Sequence, residues 1–417
     1  MKRIFLSVLC LMLAAILTVG CTSCAVRVSA EELSAGYTRQ IDETPLVGYG
    51  FRLAAAEFSM DLFREIPMEE GENVLLSPLS ALLCLGMVTG GADGETLRQL
   101  EEAFGMDTDT LNESLLAYVQ SLYSGEGCEV AIANSIWTQS GDGRFTVNED
   151  FLQKNANYYG AQIYRVPFNG QTVRDINAWV NKHTDGMIKE IVDSVSPDTV
   201  MMLINALMFD AKWQEKYESN DIDKYTFTDY YGNKSKVDMM NSEESFYLTL
   251  ENAVGFAKKY EGGKYSFVGL LPEEGEDVYE FARSLTGEDF LAMWDAQSYR
   301  TVKVRIPEFS YENEFSLVDT LRALGVEDMF SPEDANFAGL GACEDGNIFC
   351  SEVRQKTFIE VSRNGTKAAA VTWATMECTS AAPSETVNIF LDRPFVYAIV
   401  DNATGLPLFV GVVANIS

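Results

Sequence analysis

The segment Gly365-Thr366-Lys367-Ala368-Ala369-Ala370-Val371-Thr372-Trp373-Ala374-Thr375-Met376-Glu377-Cys378-Thr379-Ser380 decides the fold, because its side chains follow a two-residue rhythm. In an extended strand, successive side chains point to opposite faces of the sheet. Every second residue from Thr366 to Cys378 is then small or uncharged, whereas the two charges, Lys367 and Glu377, share the other face. The segment follows strand-like residues 356–363 and precedes turn-prone residues 381–385. We therefore interpret it as an exposed loop with the side-chain pattern of a half-buried strand.

On these residues alone, two simpler interpretations of the segment stay open. Asn364-Gly365 favours a two-residue hairpin turn, which would make the remainder an ordinary return strand. Ala368-Ala369-Ala370 consists of strong helix formers and would suit the start of a short surface helix. The sequence outside the segment bears on the choice.

Three further blocks, between about Phe51 and the C-terminus, carry a resemblance to a known family. The first comprises Asn73-Val74-Leu75-Leu76-Ser77-Pro78-Leu79-Ser80 and Gly90-Gly91-Ala92-Asp93-Gly94-Glu95-Thr96. The second comprises Ile176-Asn177-Ala178-Trp179-Val180-Asn181, Thr184, Gly186, Asn205, Phe209, Lys212 and Trp213. The third comprises Arg393-Pro394-Phe395-Val396 and Gly405-Leu406-Pro407-Leu408-Phe409-Val410-Gly411. In this order, with residues 365–370 between the last two, they resemble the serpins, and specifically a bacterial, secreted serine protease inhibitor of that family.

The resemblance implies the serpin fold, an α+β architecture of three β-sheets wrapped by about nine helices, with an exposed reactive-centre loop at about residues 364–388. The residue patterns agree with a mixed architecture, because helices and strands do not alternate regularly. Helical spacing runs through residues 54–62, 80–87 and 317–324, and strand-like segments occur at 265–270, 301–306, 356–361, 395–400 and 408–413. The 417-residue chain contains no linker-like tract, so we expect residues 51–417 to form a single domain.

The N-terminus has the pattern of a targeting segment. Lys2 and Arg3 precede an apolar run that ends in small residues, as in a secretory signal, so we assign residues 1–30 to processing and 31–50 to a linker. Cys21 lies in a sequence similar to a bacterial lipoprotein processing site, and Val28-Ser29-Ala30 offers a plain cleavage site instead. We expect a secreted protein that is either free or attached to a membrane through a lipid on Cys21.

Charge and cysteine content limit the partners. With 62 acidic against 31 basic residues, the net charge of −31 argues against nucleic acid and favours a cationic partner. The eight cysteines form no dense framework, although Cys343 and Cys350 flank four polar residues and are candidates for a small disulfide loop. Nothing in the sequence requires an oligomer, and we expect a monomer.

The sequence argues against an enzyme. Its one histidine, His183, would have to serve any Ser/His or Cys/His catalysis, and it follows an amphipathic helix where we expect an exposed helix-end residue. The glycine-rich residues 90–96 lack the Gly-Lys-Ser/Thr ending of a phosphate-binding loop. We expect neither a metal site nor a cofactor.

The resemblance implies suicide-substrate inhibition of serine endopeptidases: the protease cuts the loop, and the loop inserts into the main sheet as an extra strand. The hinge residues would be Gly365, Thr366, Lys367, Ala368, Ala369 and Ala370. The family's usual distance from Gly365 places the cut between Thr379 and Ser380, which suits an elastase-like or subtilisin-like protease. Met376, Cys378 and Ala381 are alternative cut sites. A non-inhibitory serpin that binds a ligand or acts as a surface interaction protein is the alternative.

The resemblance also assigns residues beneath the opening sheet and identifies departures from the family pattern. Ser77, Ser80, Asn205, Trp213 and Gln355 occupy these supporting positions, and Gln355 replaces a histidine that is common there. Arg363 stands where an acidic residue is usual, and Lys367 where glutamate is usual. Both would point outward in an inserted strand, so the inward face keeps its small side chains.

Overall fold

The computed structural model describes residues 28–41, 47–122, 125, 127–140, 145–196, 199–344, 346–366 and 386–416. Within them the chain forms nine α-helices, eighteen strands and three short 3-10 helices. The helices are α1 (Tyr49–Glu65), α2 (Pro78–Thr89), α3 (Gly94–Phe104), α4 (Thr108–Ser121), α5 (Glu149–Tyr158), α6 (Gly170–His183), α7 (Val278–Ser284), α8 (Gly287–Asp295) and α9 (Val318–Ala323). None of the helices in these ranges is both long and apolar enough to cross a bilayer.

Seven strands form the main sheet, in the order β1-β5-β3-β6-β15-β14-β12. Their bounds are β1 (Glu31–Glu32), β3 (Cys128–Gln139), β5 (Gln162–Val166), β6 (Met201–Lys212), β12 (Phe309–Ser316), β14 (Glu352–Ser362) and β15 (Gly365–Thr366). Strands β6 and β14 also pair directly and in parallel at their N-terminal ends. Within the described residues, β15 therefore occupies the position between β6 and β14 at one end only.

A second sheet has nine strands, in the order β16-β11-β8-β9-β10-β17-β18-β2, with β7 paired to β8. Their bounds are β2 (Val74–Leu76), β7 (Ile222–Thr228), β8 (Lys234–Leu250), β9 (Ala253–Lys259), β10 (Tyr265–Pro272), β11 (Ser298–Pro307), β16 (Thr386–Phe390), β17 (Phe395–Asp401) and β18 (Pro407–Val413). The two remaining strands, β4 (Phe145–Val147) and β13 (Gly341–Cys343), form a small third sheet. The predicted strands are thus confirmed, and the last two, β17 and β18, pair as a buried C-terminal hairpin.

Helix α2 lies at the centre of the core and contacts both large sheets through β6 and β18. All twelve of its residues are buried, which fits a helix that is apolar on every side. Ser77 caps its first turn, because the Ser77 hydroxyl accepts from the Ser80 amide and Pro78 follows at the first helical position. The helix start is therefore fixed by local sequence directly behind the main sheet.

A separate apolar cluster covers the outer face of the main sheet. Helix α6 contributes Ile176, Trp179 and Val180, and β6 contributes Met202, Ile204 and Ala206. Alternate residues of β6 pack on the opposite side, in the main core with α2. Because β6 is covered on both faces, its sequence reads as a continuous apolar run rather than an alternating one.

The chain before α1 is partly structured, although residues 31–50 are expected to be a linker. Strand β1 adds to the edge of the main sheet by pairing with β5. Ser29 donates from its amide and its hydroxyl to the carboxylate of Asp175 on α6, at 3.1 and 2.7 Å. Residues 28–30, assigned to the processing segment, therefore contact the folded domain.

Candidate functional site

The hinge of the predicted loop starts inside the main sheet. Ser362 pairs with Gly365 and Val361 with Thr366, so the two-residue turn is Arg363-Asn364 and not Asn364-Gly365. Thr366 is only 2% exposed. Gly365 has a φ of +143°, and a Cβ there would lie 2.1 Å from the Ala211 carbonyl oxygen. Only glycine fits this position. The first two hinge residues, Gly365 and Thr366, are buried, whereas the sequence predicts that they belong to an exposed loop.

Trp213 and Tyr260 hold the hinge. The Trp213 indole donates to the Ser362 carbonyl at 2.8 Å, and the Trp213 amide donates to the Asn364 carbonyl. The Tyr260 hydroxyl lies 2.5 Å from the Thr366 hydroxyl, and the Tyr260 ring stacks on Trp213 at a centroid distance of 4.6 Å. Burial raises the pKa of Tyr260 far above its usual value, so its hydroxyl stays protonated. Trp213 was predicted for this region, whereas Tyr260 was missed.

A buried ion pair supports this aromatic stack. Lys258 of β9 contacts Glu244 of β8 at 2.9 Å, and the Lys258 side chain is 2% exposed. The Lys258 ammonium also lies 4.5 Å from the ring centre of Tyr217 and 5.5 Å from that of Trp213. The carboxylate and the aromatic faces offset part of the cost of burying the charge. This pair is not predictable from the sequence, because two successive lysines at the end of a strand do not indicate which of them is buried.

Arg363 on the hinge turn forms an ion pair with Glu308, the residue just before β12. The Arg363 guanidinium contacts both Glu308 carboxylate oxygens at 3.0 and 3.2 Å, and the Arg363 amide donates to the same carboxylate. The hydrogen bond and the charge of Glu308 raise the pKa of Arg363. Arg363 replaces an acidic residue that is usual in the family, and Glu308, just before the neighbouring strand β12, supplies the acid that pairs with it.

Beneath the sheet, four of the five predicted supporting residues, all except Trp213, form two linked hydrogen-bonding groups. The Gln355 amide pairs with the Ser77 backbone, accepting from its N–H and donating to its carbonyl, each at 2.8 Å. The Ser80 hydroxyl donates to Asn205, whose amide in turn donates to Asn134 at 2.5 Å. The Ser77 hydroxyl joins the two groups at the start of α2. The structure brings these predicted residues together and adds Asn134.

Directly below Thr366 a cavity of about 20 Å³ separates β6 from β14. Its lining comprises residues 207–209 of β6, 358–360 of β14, Thr366, and Thr184, Met187 and Ile188 from the chain after α6. Towards their N-terminal ends, β6 and β14 pair directly. Met202 pairs with Glu352, and Leu203 pairs with Val353.

The two strands are already in the alignment that an inserted strand needs. Thr366 lies between Ala211 of β6 and Val361 of β14. The offset in residue number between these two partners equals the offset between Met202 and Glu352, which pair directly. Widening the gap between β6 and β14 would therefore continue β15 without any slip in register.

Several predicted residues lie outside the described residues: the hinge residues Lys367, Ala368, Ala369 and Ala370, the bond Thr379-Ser380, the alternative cut sites, and Cys21. Cys343 and Cys350 are both free, so the proposed disulfide loop is not formed. Burial raises the pKa of the Cys350 thiol to about 12. His183 is half-buried rather than exposed, with its ring 4.4 Å from that of Trp179, and burial lowers its pKa.

Comparison with known proteins identifies the family. The family described as "Serpin (serine protease inhibitor)" matches residues 53–416. The chain belongs to the serpins. Iripin-5 from Ixodes ricinus is 30% identical over 378 residues, which cover 88% of this serpin and 94% of Iripin-5. Leukocyte elastase inhibitor A from Mus musculus is 29% identical over 378 residues, covering 86% of this chain and 97% of that protein.

Solved structures agree with this assignment. The thermophilic serpin tengpin in its native state superimposes with a TM-score of 0.88 at 41% identity, covering 93% of this serpin and all of tengpin. Tengpin in its latent state gives a TM-score of 0.80 at 40% identity, covering 90% of this serpin and all of that chain. The serpin fold predicted from the motifs is thus confirmed. Serpins generally inhibit proteases as suicide substrates and are not themselves enzymes.

Proposed function

We propose that this serpin is a suicide-substrate inhibitor of serine endopeptidases that works by inserting its cleaved loop into the main sheet. The observation that supports the proposal most is the position of Thr366 between β6 and β14, in the register that the two strands also keep where they pair directly. Once β6 and β14 separate, residues after Thr366 can extend this strand between them. The protein needs no catalytic group of its own for this mechanism.

The side chains expected in the gap suit insertion. Extending the register of β15 places Ala368 opposite Ile359 and Phe209, and Ala370 opposite Thr357 and Leu207. These four partners are buried, so their loop neighbours must be small and uncharged. Thr372, the next residue on this face, would meet Gln355 and Asn205 and could hydrogen-bond there.

Insertion of the loop is energetically favourable, but it requires the strands to separate first. A strand added between β6 and β14 gains main-chain hydrogen bonds along both edges and buries apolar surface. The strands must first separate by about 4.8 Å, one strand spacing. This breaks the direct pairs at Met202 and Leu203. We infer that the intact protein, before its loop inserts, is metastable. This kinetic barrier keeps it from converting to the inserted form.

The chemical steps belong to the protease. Its serine oxygen attacks the carbonyl carbon of Thr379, the bond to the Ser380 nitrogen breaks, and that nitrogen leaves as an amine carrying the proton that the protease supplies. An ester joins Thr379 to the protease. Insertion then moves the ester to the far end of the main sheet and distorts the protease before water hydrolyses the bond.

We place the reactive bond at Thr379-Ser380 and infer an elastase-like or subtilisin-like target. A small, uncharged residue at the cut suits a shallow apolar specificity pocket better than the buried acid of a trypsin-like pocket. The similarity to leukocyte elastase inhibitor A supports the same class. The net charge of −31 would accelerate encounter with a cationic protease at low ionic strength.

A test is to incubate the protein with a panel of serine proteases and look for a complex that survives boiling in detergent. We expect such a complex, and sequencing the released C-terminal peptide should give Ser380 first. Thr366→Arg should convert the protein into a substrate, because it would force a cation into the buried hinge site. Thr249→Arg, at an exposed position of β8, is the matched control and should still form the complex.

Two results would contradict the proposal: no complex with any protease that cuts the loop, or an undiminished complex with Thr366→Arg. Cleavage without complex formation would favour the alternative, a non-inhibitory serpin that binds a ligand or serves as a surface interaction protein.

We also propose that the protein is exported. The contacts of Ser29 with Asp175 support a mature chain that begins upstream of residue 28, since cleavage after Ala30 would remove them. Lipidation at Cys21 is consistent with that start. Mass spectrometry of the mature N-terminus tests this, and an unmodified start at Glu31 would rule out the lipid.

A further inference from the structure

We propose that Lys258 is a positioning residue for strand insertion: through Trp213 it fixes the hinge from which the cleaved loop enters the main sheet. The inference rests on the proposed function, because it concerns the start of the same insertion. It assigns a task to the buried ion pair of Lys258 and Glu244, which the insertion mechanism does not otherwise use.

Lys258 is joined to a short chain of polar side chains. Its ammonium donates to a Glu244 oxygen at 2.9 Å, and the Ser242 hydroxyl donates to the same oxygen at 2.6 Å. The Ser242 hydroxyl also lies 3.0 Å from the Tyr217 hydroxyl. The side chains of Lys258 and Glu244 are only 2% and 12% exposed. Glu244 is therefore held from two sides, and it holds the ammonium in turn.

Two aromatic rings also contact the ammonium of Lys258. Their centres lie 4.5 Å away for Tyr217 and 5.5 Å away for Trp213. Away from water, an ammonium is attracted to the negative face of an aromatic ring. If Trp213 turned away, the buried charge would lose part of its compensation, which is costly. Lys258 therefore favours one orientation of the Trp213 indole.

The orientation of Trp213 matters because both of its N–H groups bond the hinge turn. The indole donates to the Ser362 carbonyl at 2.8 Å, and the backbone amide donates to the Asn364 carbonyl at 3.2 Å. These two carbonyls lie on either side of Arg363, immediately before β15. Lys258 is thus connected to the first residues of the inserting strand through one indole ring.

The position of the hinge bears on the yield of trapped protease. In the proposed mechanism, insertion competes with hydrolysis of the ester. Because Gly365 and Thr366 are already in register, the residues that follow extend an existing strand end. Holding the starting geometry accelerates such a step. A looser hinge would slow insertion, so more ester would be hydrolysed and more inhibitor would be consumed for each protease trapped.

The test removes the two charges together. In the double variant Lys258→Met, Glu244→Gln, neither partner is left as an unpaired buried charge, and the glutamine oxygen still accepts from Ser242. Lys259→Met is the matched control, because Lys259 is the next residue of β9 and its ammonium lies 4.7 Å from the ring centre of Phe246. Each protein is titrated against a protease that wild type traps, and the inhibitor consumed per trapped protease is measured.

We expect the double variant to consume about fivefold more inhibitor than wild type, the worth of one desolvated cation–π contact. Lys259→Met should match wild type. The free energy of unfolding of the intact double variant should stay nearly unchanged, because uncharged residues can replace a buried ion pair at little cost. A purely structural role would show the reverse, a loss of stability with unchanged consumption.

A spectroscopic measurement and a double-mutant cycle test whether Lys258 acts through Trp213. The indole N–H signal of Trp213, assigned by its absence in Trp213→Phe, should exchange with solvent faster in the double variant. Trp213→Phe keeps a ring but removes the donor to Ser362. In that background, Lys258→Met, Glu244→Gln should raise the consumption of inhibitor far less than in wild type.

A milder variant covers the case in which the double variant does not fold. Ser242→Ala removes only the hydroxyl donor to Glu244, and it should raise the consumption of inhibitor by about twofold.

Three outcomes would overturn the positioning role while leaving the proposed function intact: wild-type consumption by the double variant and by Ser242→Ala, an equal rise with Lys259→Met, or a full rise in the Trp213→Phe background. Failure of the proposed function is distinguishable, because wild type itself would then trap no protease.

Discussion

Among single residues, two departures from the serpin pattern, Arg363 and Gln355, have compensating partners in the structure. Arg363 is an isolated exception in the sequence, but in the structure Glu308 accepts from its guanidinium and its amide. The sequence could not predict this pair, because 55 positions separate the two residues and only the pairing of β12 with β14 brings them together. Gln355 similarly replaces a histidine but satisfies both backbone groups of Ser77.

If the Arg363–Glu308 ion pair stabilises the hinge, exchanging the two charges should leave the free energy of unfolding nearly unchanged, whereas reversing one of them should lower it. Arg363→Glu places two carboxylates together, so we expect the free energy of unfolding of the intact protein to fall by about 1 kcal/mol. Glu308→Arg combined with Arg363→Glu should restore most of this loss. Urea unfolding at constant ionic strength measures both effects. A double variant no more stable than Arg363→Glu alone would show that the pair does not stabilise the hinge.

At the scale of elements, the motifs predicted the strands that the chain's local pattern encodes, and missed what depends on neighbouring elements. The strands at 356–361 and 395–400 are apolar in alternation or throughout, and the structure confirms them. The loop's first residues also alternate, but their burial depends on the gap between β6 and β14, which no local pattern reveals. Lys258 was missed for the same reason, since its partner and its aromatic neighbours lie on other strands.

If the loop inserts between β6 and β14, a covalent link between these two strands should prevent inhibition. Met202 and Glu352 are paired neighbours in the parallel part of the sheet, a spacing that a disulfide can bridge. The double variant Met202→Cys, Glu352→Cys, once oxidised, should be cleaved as a substrate without forming the boiling-resistant complex, because the strands cannot separate. Adding a reductant should restore complex formation, and Glu352→Cys alone is the control. An oxidised double variant that still traps protease would mean that the loop does not insert between these strands.

For the whole molecule, strand insertion requires two states of different stability for one sequence. Of the residues that the structure describes, Gly365 and Thr366 alone lie in the position between β6 and β14 of the main sheet. Around this position the structure combines a narrow cavity, strands already in register and a turn fixed by Trp213 and Glu308. Each feature suits a sheet that opens once, in one register. Cutting the loop should therefore convert a metastable protein into a more stable one.

The most direct measurement of this claim is thermal unfolding of the protein before and after a single cut in the loop, under identical conditions in urea. Our account predicts that the nicked protein unfolds at a clearly higher temperature than the intact one, because residues after Thr366 complete the main sheet between β6 and β14. An unchanged or lower unfolding temperature after the cut would contradict it.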